Sequence, residues 1–321
     1  MTRADRLVAV QEQHGVQVNF LGSLLWYTVV DCRITKDDLE DLFAQAGLDS
    51  AHLPSDINPR DAFRRASRKM ETAHKVDLGN NQYLNTLVRE VSLSRNNLTR
   101  QVVREIVDSA NKRLEYTPVA ELVHKVSSTN QDSLEINIKD TLLEAEQKVL
   151  DALPLEYELN KLNYNGNNIR ELVGKVLSDC DPVNVRPSGG VYFISAAYDT
   201  TIKALQAFVK ELTPFAINGT RSTMHTVPVV DAEEQRLMIR ESLEEQIGAA
   251  SKALIGEMTD LIRTGKKVST KAASAFADRA RKLKGQIKAY EETLAEKQIG
   301  ARANLEVAMK QALMMFELVE D

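Results

Sequence analysis

"TRQVVREIVDS", Thr99 to Ser109, fits two structures at once. Val102, Val103, Ile106 and Val107 recur at the 3.6-residue spacing of a helix, and periodicity alone does not exclude one. The same residues are β-branched, which suits a strand. On either side lie "YLNTLVREVSLS" (83–94), "RLEYTPVAELVHKV" (113–126) and "SLEINIK" (133–139), separated by turn-forming pairs such as Asn96-Asn97 and Asn130-Gln131. Strand-length runs between such pairs predict an antiparallel meander, with Thr99–Ser109 as one of its members.

Upstream, a first helix ends near Gly15, and residues 16–34, "VQVNFLGSLLWYTVVDCRI", read as a buried strand or strand pair. Thr35 begins a short helix, with Asp38 three residues on and Gly47 as its stop. A second helix follows from Asn58, with Pro59 at the first helical position, where its missing N–H costs nothing. Downstream of the meander, residues 140–163 return to helix, and Asn168 with Glu171 suggests the capping box of another. A strand in "RPSGGVYFIS" (186–195), a helix near 200–212 and a strand in "MHTVPVV" come next.

From Asp231 onward there is no proline, and apolar residues keep helical spacing. One arm runs through Ile239, Leu243, Ile247, Ala250, Leu254, Met258 and Leu261. Gly265 marks the reversal, and a second arm runs through Phe276, Ala280, Leu283, Ile287, Tyr290 and Leu294. The seam then slips and resumes at Leu305. At about 1.5 Å per residue the arms are ~50 and ~80 Å long, so the second outruns its partner near residue 298. The expectation is an α+β protein with an antiparallel-sheet head and a long C-terminal antiparallel coiled-coil hairpin. Its segments are an α+β region with the meander (1–139), a second α+β region (140–230) and the hairpin (231–321), the last twenty residues packing back on the head.

The composition excludes some functions. Of 321 residues 27% are charged and 5% aromatic, with a net charge of -5, which argues against a protein uniformly coating nucleic acid. No stretch has the apolar length of a signal peptide or membrane span, so a cytoplasmic protein is expected. Cys32 and Cys180, far apart and near apolar runs, read as reduced core thiols. The five histidines lack ligand spacing and there is no Cys-x-x-Cys, so no metal is expected. With no Gly-x-Ser-x-Gly elbow and no Walker or dinucleotide loop, neither catalytic residues nor a cofactor are assigned.

Two basic clusters are the candidate anion or nucleic-acid contacts. Between Arg263 and Lys288 stand nine Lys or Arg and one acid, Asp278. In a hairpin centred on Gly265, several of these face acids, Glu257 opposite Lys271 among them. Arg263, Lys266 and Lys267 at the tip, with Arg279, Arg281 and Lys282 on the flank, are left over. Arg60, Arg64 and Arg68 share one face of the early helix, where local carboxylates are the alternative partners. Arg186 stands beside Gly189-Gly190, but these glycines lead into a strand, whereas phosphate loops leave one; a turn delivering Val191–Ile194 into a sheet is the preferred reading.

"YNGNNIR" (164–170), followed by "RPSGGVYFI" and a terminal helical region, resembles uncharacterised bacterial and bacteriophage proteins over about residues 164–260. The resemblance implies no activity and no functional residue. The expected function is therefore non-enzymatic: a head that recognises another protein and an arm that drives homo-oligomerisation. A nucleic-acid-binding module is the first alternative, and a phosphate- or nucleotide-handling enzyme around Arg186 the second.

Overall fold

The computed structural model describes residues 19–71, 75–126, 132–186, 189–264, 268–295 and 299–317. The fold is α+β with antiparallel sheets. It divides into two compact units, one made of 31–41 and 53–168, the other of 1–30, 42–52 and 169–321. These units cut across the three segments read from the sequence, because a helix downstream of the meander packs on it and the C-terminal helices share a core with the first strand.

In the first unit, strands β3 (Val76–Gly79), β4 (Gln82–Leu93), β5 (Asn97–Asp108), β6 (Arg113–Val126) and β7 (Asp132–Ile138) form a meander in sequence order. The ambiguous stretch is thus a strand. It mimics a helix because it is buried on both faces: Leu98, Arg100 and Val102 on one, Val103 and Val107 on the other. Helices α2 (Pro59–Arg68) and α3 (Glu144–Leu162) cover one face, and Phe63, Val88, Val102, Leu122, Leu150, Leu153 and Tyr157 form a single core with them. The turn between β3 and β4, Asn80-Asn81, has φ of 51° and 59°, the positive pair of a tight hairpin and a signal missed in the sequence.

Two short strands, β2 (Arg33–Thr35) and β8 (Asn163–Asn165), pair antiparallel in the same unit. Thr35 and Asp38 form the expected cap of α1 (Lys36–Gln45): the Thr35 hydroxyl donates to Asp38 at 2.6 Å and accepts its N–H at 3.2 Å. Asn58 and Pro59 open α2 as read. Helix α4 (Gly166–Ser178) starts earlier than expected. Its cap is Asn165, whose side chain accepts from the N–H groups of Asn167 and Asn168, while Asn168 accepts from the Asn165 N–H.

The other unit holds a four-stranded sheet in the order β11 (Thr223–Val230), β1 (Phe20–Thr28), β10 (Tyr192–Ser195), β9 (Val183–Asn184). Helix α5 (Asp199–Glu211) precedes β11, with Phe208 edge-on to Phe43. Leu21, Val183, Phe193 and Val229 pack against α6 (Glu233–Arg263), α7 (Thr270–Leu294) and α8 (Ile299–Glu317). A polar clamp joins them: Gln246 of α6 and Gln286 of α7 both donate to the Pro182 carbonyl at 3.0 Å, and the buried Tyr290 hydroxyl donates to that of Asp181 at 2.8 Å.

The C-terminal region corrects the hairpin. The second arm is not one long helix: α7 ends at Leu294, Ala295 takes a left-handed φ of 52°, and α8 returns along both earlier helices. Leu305 clusters with Ile287 and Leu294, whereas Ala308, Ala312 and Met315 cluster with Leu254, Met258, Phe276 and Ala280. Thus α8 runs antiparallel to α7, and its later turns pack on the end of α6 and the first turns of α7. The slip in the apolar seam marks a reversal of the chain, with small Ala308 and Ala312 letting the third helix approach. The pairing register also moves: Glu257 meets Arg279 at 2.6 Å, not Lys271.

Candidate functional site

The residues singled out in the sequence do not converge. Arg60 donates to the carbonyls of Ser94 (3.0 Å) and Arg95, and Arg64 pairs with Asp61 at 2.9 Å and with Glu90 at 2.9 and 3.2 Å. The Glu90 carboxylate holds the Arg64 guanidinium above its ordinary pKa, and Arg64 pulls Glu90 down. These two arginines thereby fasten α2 to the β4–β5 hairpin. Arg68 is exposed. The stripe's buried neighbour, Arg100, escaped the sequence reading; its guanidinium donates to Ser67 Oγ at 2.5 Å and to the Arg64 carbonyl at 2.9 Å.

Arg263, in the last turn of α6, pairs with Asp260 at 3.2 Å, and Arg281, in α7, with Asp278 at 2.5 Å. Lys282 donates to Ser178 Oγ at 2.8 Å and lies 3.7 Å from Asp179. Lys266 and Lys267 lie outside the described residues. Arg186 is exposed in the β9–β10 loop, folded along Gly189, whose φ is 141°; Gly190 has φ 23°. The double glycine turns a hairpin between two strands, as its position before β10 implies.

Two histidines carry opposite electrostatics. His52 Nδ1 faces the Asp49 carbonyl at 3.1 Å and Nε2 faces Asp179 at 2.9 Å. Both partners are acceptors, which favours the protonated ring, and the Asp179 hydrogen bond raises the His52 pKa. His124 is fully buried under Phe63. The Tyr157 hydroxyl donates to Asp132, so its oxygen accepts from His124 Nε2–H, while Nδ1 has no partner among the described residues. A second proton would be buried with the ring; burial outweighs the attraction of Asp132 and lowers this pKa.

The linkage follows for each ring. The contribution of His124 is intact above 6.5, its ordinary value, and is lost as pH falls below it; that of His52 is intact below 6.5 and lost as pH rises through its raised pKa. Urea unfolding at pH 5, 7 and 9 should show His124→Gln flattening the acid limb only and His52→Gln the alkaline limb only.

His52, Asp179, Cys180 and Tyr198 line a cleft of about 460 Å³. Burial pushes the Cys180 thiol up to about 11, and burial followed by the Asp181 hydrogen bond pushes Tyr198 up to about 12. The Cys180 thiol is bonded to the Val176 carbonyl and the two His52 nitrogens face Asp49 and Asp179, so thiol and imidazole are not paired as nucleophile and base.

The larger concavity, about 970 Å³, is the groove between α7 and α8. Ile287, Leu305 and Met309 supply its apolar part; Arg281, Lys284 and Lys288, then Glu291 and Glu292, follow one another along α7. Arg281, Lys284, Lys288 and Glu291 recur at steps of three and four, and Glu292 follows Lys288 by four, so they share one face. Across the groove Arg302 of α8 pairs with Glu291, and Glu306 stands one turn further on. Among the described residues no group of His, Cys, Asp or Glu could hold a metal ion, and no helix is long and apolar enough to cross a membrane.

The site is thus a long amphipathic trough on a helical surface. No curated protein and no solved structure matches the chain. A family model does, over residues 20–320, nearly the whole described fold, and the chain therefore belongs to DUF6744, a family of unknown function.

Proposed function

We propose that the protein works by docking a partner helix rather than by catalysis, with the C-terminal helices as its interaction surface. One observation carries this: the α7–α8 groove has an apolar floor between rims of both charge signs. An amphipathic helix recognises such a trough by burying its apolar stripe while its flanks meet the rim charges. A phosphate backbone would instead favour a rim of uniformly positive sign.

A Gly285→Cys variant reports on the groove, since a Cβ at Gly285 meets nothing within 4 Å. The native thiols are buried, so an environment-sensitive dye labels the new one alone. Titration with a synthetic Leu/Glu/Lys peptide whose leucines share one helical face should give a saturable blue shift, and a scrambled peptide of equal composition should give none. Equal responses to both peptides, or no response to either, would overturn the proposal.

A further inference from the structure

The charge order along the groove identifies its occupant. Arg281, Lys284 and Lys288 are basic, and the same face of α7 then turns acidic at Glu291 and Glu292. The two halves are close: Lys284 and Glu292 are about 12 Å apart along the helix. A partner helix that satisfies this order must be acidic where α7 is basic and basic where it is acidic. The α7 of another copy, running antiparallel across the groove, has that order.

We infer that the occupant is a second copy of this chain, related by a two-fold axis near the change of sign. This rests on the groove being a helix-docking surface. A two-fold contact is isologous, so every favourable pair is made twice: Lys284 of one copy against Glu292 of its mate, and the reverse. Arg281 and Glu291 are already paired within the copy, with Asp278 and Arg302, so Lys284, Lys288 and Glu292 carry the contact. The Lys288–Glu292 pair is 3.9 Å apart with side chains 79% and 72% exposed, and such a pair is easily exchanged for an intermolecular one.

The apolar part is also incomplete in one copy. On α8, Leu313 follows Met309 by four residues and Glu306 by seven, extending the groove-facing stripe. Leu313 is 64% exposed. Leu313 lies beyond the residues that line the groove, further along the same helix face, where an exposed aliphatic side chain can be covered by a second copy.

The test is exchange of charges on the full chain. Lys284→Glu with Lys288→Glu reverses two charges of the basic half, and Glu292→Lys with Glu306→Lys reverses one acid of α7 and the acid facing it on α8. Sedimentation should find the parent a dimer. Each variant alone should dissociate about 100-fold more readily, because each now sets like charges against like. An equimolar mixture of the two should regain a heterodimer. Circular dichroism confirms that both variants fold, and recovery in the mixture confirms it independently. A monomeric parent, variants that dimerise like the parent, or a mixture that stays monomeric would each overturn the inference. If the parent is monomeric while the dye-labelled Gly285→Cys protein still binds the amphipathic peptide, only the second-copy assignment falls. If the peptide also fails to bind, the docking surface itself is wrong.

Discussion

Gly22→Ala should cost the sheet-bearing unit about 3 kcal/mol or more, at the upper end of what overpacking usually costs. A Cβ on Gly22 would stand 2.0 Å from the Ile194 carbonyl oxygen and 2.9 Å from both the Ile194 carbonyl carbon and Ser195 Cα. All three are backbone atoms of β10, the strand with which β1 pairs at Gly22 and Ser195. No rotamer change relieves such a clash, so the strands must separate. The position is also a bulge, where the β1–β11 register shifts between Phe20 and Gly22, and φ there is 157°. Trp26, the only tryptophan and a member of β1, reports the loss directly by fluorescence during urea unfolding. Gly285→Ala is the control: with open space around its Cβ it should be neutral or gain up to about 1 kcal/mol from helix propensity. A Gly22→Ala protein as stable as the parent would show that this geometry is wrong.

Arg104→Met should destabilise the meander unit by about 3–5 kcal/mol, the cost of leaving a buried charge without its partner. Arg104 donates to both carboxylate oxygens of Glu146, at 2.5 and 3.2 Å, and to the Thr141 carbonyl at 3.1 Å. Glu146 is 5% exposed and also accepts the Leu143 N–H at 2.8 Å, so it closes the first turn of α3. Deleting the arginine strands an acid inside the protein. Arg104→Met combined with Glu146→Leu should recover part of the loss, because the stranded charge goes while the lost cap remains. A double variant no better than the single one would mean that the arginine acts through its packing alone.

Local chemistry was the legible part of this fold. Thr35, Asn58-Pro59 and Gly189-Gly190 each announce a cap or a turn through properties of one or two residues, and each holds in the structure. The meander was legible except at Thr99–Ser109, where burial on both faces of β5 erases the alternation that distinguishes a strand. The C-terminal reversal was legible only as a slip in the seam. An apolar repeat records that the helix changes its contacts, but not whether it leaves its partner or turns back upon it. The groove could not be read at all, because it depends on which face of α7 the α8 helix leaves open. Its charges were present in the sequence as a basic cluster, and only the register shows that Arg279, thought to be left over, is matched to Glu257.

The order of the strands also bears on how the chain is made. Gly22 pairs with Ser195 and Leu24 with Val227, so β1 leaves the ribosome long before either neighbour exists. At translation rates of about 5–20 residues per second, that delay is roughly 10–40 s. During it the meander, whose strands pair in sequence order, can complete itself from local hairpins. Leu21 and Leu25, buried in the finished fold, have neither neighbouring strand to pack beside during that interval.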